Sequence, residues 1–205
     1  SENEDGSNAS EIELDIVLYK YVKITVEISY GILIADSNDN GVMINETNCQ
    51  DVLGNGTVSY DPTTNTLTLN NYKYEGAGFV DGGARFGILV PVTLDELTIV
   101  LKGENVINVT SSTVARMRMR SFGIYIWETD VVIKGDGSLV VSAIDGAIFS
   151  SGEDDSSLEI KSGNIALMST LCINTKYFKM SGGNLDLRAV GEESRSAYVF
   201  EFKTS

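Results

Sequence analysis

A chain of 205 residues with 42% hydrophobic side chains, 20 glycines and two prolines is long enough to bury a sizeable core and has the composition of a turn-dense β protein. Its 29 carboxylates against 15 basic side chains give a formal charge of -14, which repels nucleic-acid backbones and anionic membranes and excludes both as partners. There is no histidine, so Ser-His-Asp and Cys-His catalysis and His-ligated metal centres are excluded too.

The chain opens on SENEDGSNAS, small, polar and acidic, which reads as a flexible tether over residues 1–10. No stretch of the sequence has a signal-peptide pattern and no apolar run reaches the roughly 20 residues of a membrane helix. Residues 11–50 follow with β-rich apolar stretches (EIELDIVLYKYVKITVEISYGILIA) that lack the later repeat, and predict an N-terminal β cap over the first coil. Within it, DSNDNG places Asp36, Asn38 and Asn40 ahead of Gly41, matching the opening of an EF-hand-type calcium loop. Position twelve is Thr47 instead of Glu, so a polar hairpin turn accounts for the run equally. Cys49 lies in a polar turn and Cys172 in an apolar strand, which excludes a disulfide framework. The sequons at Asn8, Asn45, Asn55 and Asn108 fall in Asn- and Thr-rich turns that generate such triplets unaided.

Residues 51–205 carry a repeat. Its copies begin at Leu97 (LTIVLKGENVINV), Val131 (VVIKGDGSLVV), Leu158 (LEIKSGNIAL) and Phe178 (FKMSGGNLDL), with an earlier first strand at Leu67. Short strands and tight turns at intervals of 20 to 34 residues predict an all-β right-handed parallel β-helix of about five coils, three strands per coil. Alternation points Leu97 and Ile99, Val131 and Ile133, Leu158 and Ile160, and Phe178 and Met180 inward in the first strands. In the second strands it points Ile107 and Val109, Leu139 and Val141, Ile165 and Leu167, and Leu185 and Leu187 inward. In the third strands it does the same for Ile88 and Val90, Ile124 and Ile126, Ala147 and Phe149, and Leu171 and Ile173. Asn105, Asn164 and Asn184 sit in the first turn, where stacked amides form a ladder along the axis. The aromatic-rich SAYVFEF is expected to cover the last coil.

Two neighbourhoods carry chemistry. ARMRMR sets Arg116, Arg118 and Arg120 on one side of an extended loop, and the next strand turns Tyr125 and Trp127 outward. Guanidinium forks grip carboxylates and exposed rings stack on sugars. The same outward column continues through Leu89, Ile148, Cys172 and Tyr198, which equally describes a covered face. At the corner entering each first strand, Asp95 and Glu96, Glu128 and Asp130, and Glu153, Asp154 and Asp155 recur on successive coils. Stacked carboxylates repel, and a calcium ion at Asp130, Asp154 and Asp155 would relieve that; a wet corner tolerates them without one.

The string DVLGNGTVSYDPTTNTLTLNN at residues 51–71, continued by LKGEN, GIYIW and IKGDGSLVV, resembles secreted or cell-surface right-handed parallel β-helix proteins of gut bacteria, described as carbohydrate-binding or adhesin-like. The resemblance covers roughly residues 30–190. It implies an extracellular or cell-envelope-attached bacterial protein whose partner is a glycan or another cell-surface protein. The Gly-His-Gly of polygalacturonase-type β-helices is absent. The expectation is a monomeric, non-enzymatic glycan-binding module with no cofactor beyond calcium. A calcium-assisted polysaccharide lyase or glycosidase using the acidic corner, and a structural spacer, are the alternatives.

Overall fold

The computed structural model describes residues 27–91, 94–110, 119–151 and 156–190, and the backbone of 198–201. Among them there is no helix; every regular element is a strand. Two antiparallel strands, β1 (Ser29–Ala35) and β2 (Gly41–Asn45), and a third, β3 (Val58–Asp61), precede five passes of the chain through three sheets. The first pass is β4 (Thr66–Asn70), β5 (Lys73–Gly76), then β6 (Phe79–Asp81) folded back on β7 (Ala84–Val90). The second is β8 (Glu96–Lys102), β9 (Glu104–Val109) and β10 (Arg120–Ile126). The third is β11 (Asp130–Gly135), β12 (Ser138–Ser142) and β13 (Gly146–Ser150). The fourth is β14 (Ser157–Ile160), β15 (Asn164–Ser169) and β16 (Leu171–Asn174), and the fifth β17 (Tyr177–Met180), β18 (Asn184–Ala189) and β19 (Tyr198–Glu201).

The first strands of successive passes pair in parallel as one sheet, the second strands as another and the third as a third. The physical reason is the repeat itself: like side chains recur at like positions, so each pass buries its apolar column against the one before. In the first sheet the register is Leu97–Val131–Leu158–Phe178 and Ile99–Ile133–Ile160–Met180, as the alternation predicts. Leu67, however, pairs with Ile99 and not Leu97. The column is fully buried as far as Ile160. Phe178 is half-buried and Met180 is 40% exposed, because no described strand follows β17 on that side. The turns between first and second strands are tight enough to require glycine: a Cβ on Gly135, at φ +127°, would stand 2.2 Å from the Leu101 carbonyl oxygen.

The second sheet corrects the expected alignment by two residues. Leu139 pairs with Asn105, and Val141 with Ile107. Asn105 therefore leaves the predicted amide ladder and lies in the core, fully buried. Its Oδ1 accepts from the Tyr72 amide at 2.9 Å, while Nδ2 donates to the carbonyls of Lys102 (3.1 Å) and Ser138 (3.0 Å). Asn164 and Asn184 do form the ladder, with Nδ2 of Asn184 donating to Oδ1 of Asn164 at 2.7 Å.

In the third sheet strict alternation fails. Ile148 pairs with Ile124 and Ile173 inside, whereas Phe149 pairs with Tyr125 on the outer side. Each third strand presents two successive residues inward where it bends. A Cβ on Gly87 would lie 2.4 Å from Ile107, and one on Gly123 would lie 2.1 Å from Val141, so these glycines face the second sheet while Ile88 and Ile124 beside them are also fully buried. Ala147–Ile148 and Cys172–Ile173 repeat the small-then-Ile step.

Strands β1 and β2 extend the third sheet antiparallel beyond β7, and β3 extends the first sheet antiparallel beyond β4. The outer edge of β3 is itself occupied: Val52 donates to Val58 and Tyr60 to Cys49 through the main chain. Antiparallel additions thus close this end of two sheets and reach to Asp61. Residues 1–26, expected as tether and as the first half of the cap, lie outside the described residues. At the other end β19 adds to β16 in parallel, as the third strand of a fifth pass, where a covering element was expected.

Candidate functional site

The outer face of the third sheet carries an aromatic cluster. Phe86 and Phe122 stack with centroids 5.8 Å apart, and Phe79 joins Phe86 at 5.7 Å. Tyr125 is met edge-on by Phe86 (5.1 Å) and Phe122 (5.0 Å), and Phe149 stacks on it at 5.6 Å. Trp127 stands edge-to-face against Tyr125 at 6.2 Å and is 49% exposed. These rings gather because β7, β10 and β13 run in register and each turns its aromatic residue outward at the bend. Tyr125 is half-buried and Phe122 buried, so the cluster is mostly structural and only its Trp127 end offers a free ring face.

Of the expected basic partners, Arg120 is not brought to that end. Arg120 is exposed at the start of β10, in register with Ala84. Trp127 lies seven residues further on, which at strand rise is about 20 Å away. Arg116 and Arg118 lie outside the described residues. The outward column itself is revised: Leu89 and Tyr125 belong to it, but Ile148 and Cys172 are fully buried inside, and the Tyr198 side chain lies outside the described residues. Phe86, Phe122 and Phe149 were missed. The recurring small-Ile step (Gly87-Ile88, Gly123-Ile124, Ala147-Ile148, Cys172-Ile173) is the signal that would have marked the bend and turned Phe149 outward.

Only the first two carboxylate groups of the acidic corner lie among the described residues. Glu96 and Asp130 are register partners, but the next residue in that column is Ser157, not a carboxylate. The Asp130 Oδ1 accepts from both the amide (2.8 Å) and the hydroxyl (2.7 Å) of Ser157, which supplies the neutral donors that a cation was expected to replace. Glu128, at φ 54°, is exposed beside Trp127. Asp154 and Asp155 lie outside the described residues.

The Asp36–Asn40 run is the β1–β2 hairpin turn. Asp36 Oδ1 accepts from the amides of Asn38 (2.8 Å) and Asn40 (2.9 Å), and its Oδ2 from the Asn40 side chain (3.1 Å). Burial acts to raise the Asp36 pKa, but the hydrogen bonds from Asn40 and Asn38 outweigh it and hold the carboxyl below the usual range. Both carboxylate oxygens are engaged within the turn, as the polar hairpin reading of this run requires. Among the described residues no three His, Cys, Asp or Glu side chains stand close enough to share a metal ion. Asp39 at φ 61° accepts from Tyr74 Oη and from the Ala77 amide, tying the turn to β5. Two sequons serve as turns in the same way: Asn45 Oδ1 accepts from the Thr47 amide and hydroxyl, and Asn55 Oδ1 from those of Thr57. Cys49 and Cys172 are both buried free thiols. No family model, no curated protein and no solved structure matches the chain.

Proposed function

We propose that this chain is a non-enzymatic binding module of a secreted or cell-surface bacterial protein, and that its ligand is a glycan held at Trp127. The observation that carries the reading is the half-exposed indole of Trp127, fixed edge-on by Tyr125, which in turn is held edge-on by the buried rings of Phe86 and Phe122. A ring held still at the margin of a rigid sheet presents a flat apolar surface at little entropic cost, and that is what one face of a pyranose requires. The passes, which visit the three sheets in the same order each time, are read as the coils of a right-handed parallel β-helix. Arg120 is too distant to share one sugar ring with Trp127 and the carboxylate of Glu128 is exposed beside it, so a neutral sugar is favoured over an acidic one, with affinity on the order of millimolar for a short ligand.

The test uses the fact that Trp127 is the sole tryptophan of the chain. Intrinsic fluorescence then reports this position alone. Titration with neutral and acidic oligosaccharides is expected to shift or quench the emission. Trp127→Phe should retain binding measured by calorimetry and Trp127→Ala should lose it without loss of fold. An emission spectrum unchanged across a broad glycan panel would refute the reading.

A further inference from the structure

The two ends of the strand stack differ. At the end nearest the N-terminus the first and third sheets are closed by antiparallel strands. At the other end β17 and β18 are the last described strands of their sheets, each with one free edge. Their inward residues are correspondingly uncovered: Met180 is 40% exposed and Leu185 and Leu187 are half-buried, whereas their register partners Ile160, Ile165 and Leu167 are buried. Tyr177 and Val190 beside them are 54% and 45% exposed. Such an end is completed by one more strand whose alternate side chains are apolar.

The end also differs in charge. Residues 156–205 carry six basic side chains against five carboxylates, in a chain whose first 76 residues carry thirteen carboxylates against three lysines. Lys176 and Arg188 flank the open edges and Lys179, beside them, is shared with Glu159 at 2.9 Å; Asp186 is the sole carboxylate on β17 and β18. A strand that adds here is therefore favoured when its solvent side is acidic. One segment of this chain has that pattern. Glu11–Leu18 reads EIELDIVL, with Glu11, Glu13 and Asp15 on one side of an extended strand and Ile12, Leu14 and Ile16 on the other.

We propose that Glu11–Leu18 of a second copy adds as a strand to the open end formed by β17 and β18, so that copies join head to tail. Addition in trans follows from reach. Nine Cα steps lead from Leu18 to Glu27, spanning at most about 32 Å when fully extended. A strand added beyond the last pass lies six strand spacings from β1, about 29 Å before any sideways offset, which leaves almost no slack for a chain to cover its own far end. The contact is heterologous, since donor and acceptor are different surfaces, and it propagates.

The test is sedimentation velocity on the full chain over a range of concentrations and salt. The weight-average mass should rise with concentration, and the association should weaken roughly tenfold on moving from low to high salt. The donor variant Ile12→Lys with Leu14→Lys and the acceptor variant Leu185→Lys with Leu187→Lys should each be monomeric. Mixed, they should form a one-to-one dimer that grows no further, because each retains the surface the other lacks. Should the acceptor variant fail to keep the parent's β spectrum and melting curve, Lys179→Glu with Arg188→Glu tests the same end by charge alone and should weaken association as salt does. A full chain that stays monomeric at every concentration overturns the proposal, as does a donor variant that associates like the parent. A donor variant that melts lower while the parent stays monomeric would place the segment on its own chain and equally overturn addition in trans.

Discussion

Asn105 and Leu139 are register partners in the core of the second sheet, an amide and an isobutyl group side by side and both fully buried. The arrangement is stable because Asn105 spends its side-chain oxygen on the Tyr72 amide and its NH2 on the carbonyls of Lys102 and Ser138, three main-chain groups at the corner of consecutive passes. Removing the amide strands those groups away from water, which costs roughly 2–4 kcal/mol in total. Asn105→Leu, which restores apolar volume, should be about as destabilising as Asn105→Ala. Chemical denaturation decides the matter: a leucine variant as stable as the parent would mean that the corner groups find water.

The first-sheet column should show a gradient of sensitivity along the stack. Ile133→Asp places an unpaired carboxylate between Ile99 and Ile160 and should destabilise by several kcal/mol or prevent folding. Met180→Asp, in the same column but 40% exposed, should cost no more than about 1 kcal/mol. Equal losses for the two would contradict the open end at β17.

On the aromatic face, Tyr125 and Trp127 should separate stability from binding. Tyr125→Ala removes contacts to Phe86, Phe122 and Phe149 and should lower stability by about 2 kcal/mol or more. Among the described residues Trp127→Ala removes one ring pair, the contact to Tyr125, and its thermal midpoint should move little. A large drop in midpoint for Trp127→Ala would assign that ring to the core.

Acid should loosen the hairpin turn. The Asp36 carboxyl is held below its ordinary value of 3.8 in the folded protein, so the folded state binds protons less readily than the unfolded chain. That contribution is complete above pH 3.8 and is lost as pH falls through the lower folded value. Asp36→Asn should therefore flatten the part of the stability curve below pH 4 and leave neutral pH nearly unchanged in shape. Urea midpoints between pH 2 and 5 for the two proteins are the measurement.

Calcium should not move the melting curve. The Asp36 oxygens are taken by Asn38 and Asn40, and Asp130 Oδ1 by Ser157. Differential scanning fluorimetry with EDTA and with millimolar calcium should give superimposable transitions; a midpoint that rises with calcium concentration would show a site built from other oxygens.

Much of the architecture was legible because a repeat with period-2 alternation fixes both the pairing partner and the buried side of each strand. Val131 beside Leu97 and Leu158 follows from that alone. What period-2 alternation by itself could not resolve is where it is interrupted. Phe149 lies outward and Ile148 inward because the strand bends at a small residue, and the bend exists only once Gly123 packs against Val141 of another sheet. Asn105 reads as a turn residue because its partners, Tyr72, Lys102 and Ser138, are contributed by three different turns of the chain. Arg120 and Trp127 are near neighbours in sequence but a full strand length apart in space, since an extended backbone separates what it links. Local pattern determined which residues are strand and which face is apolar; long-range packing decided register at the corners, which rings meet, and which end of the stack stays open.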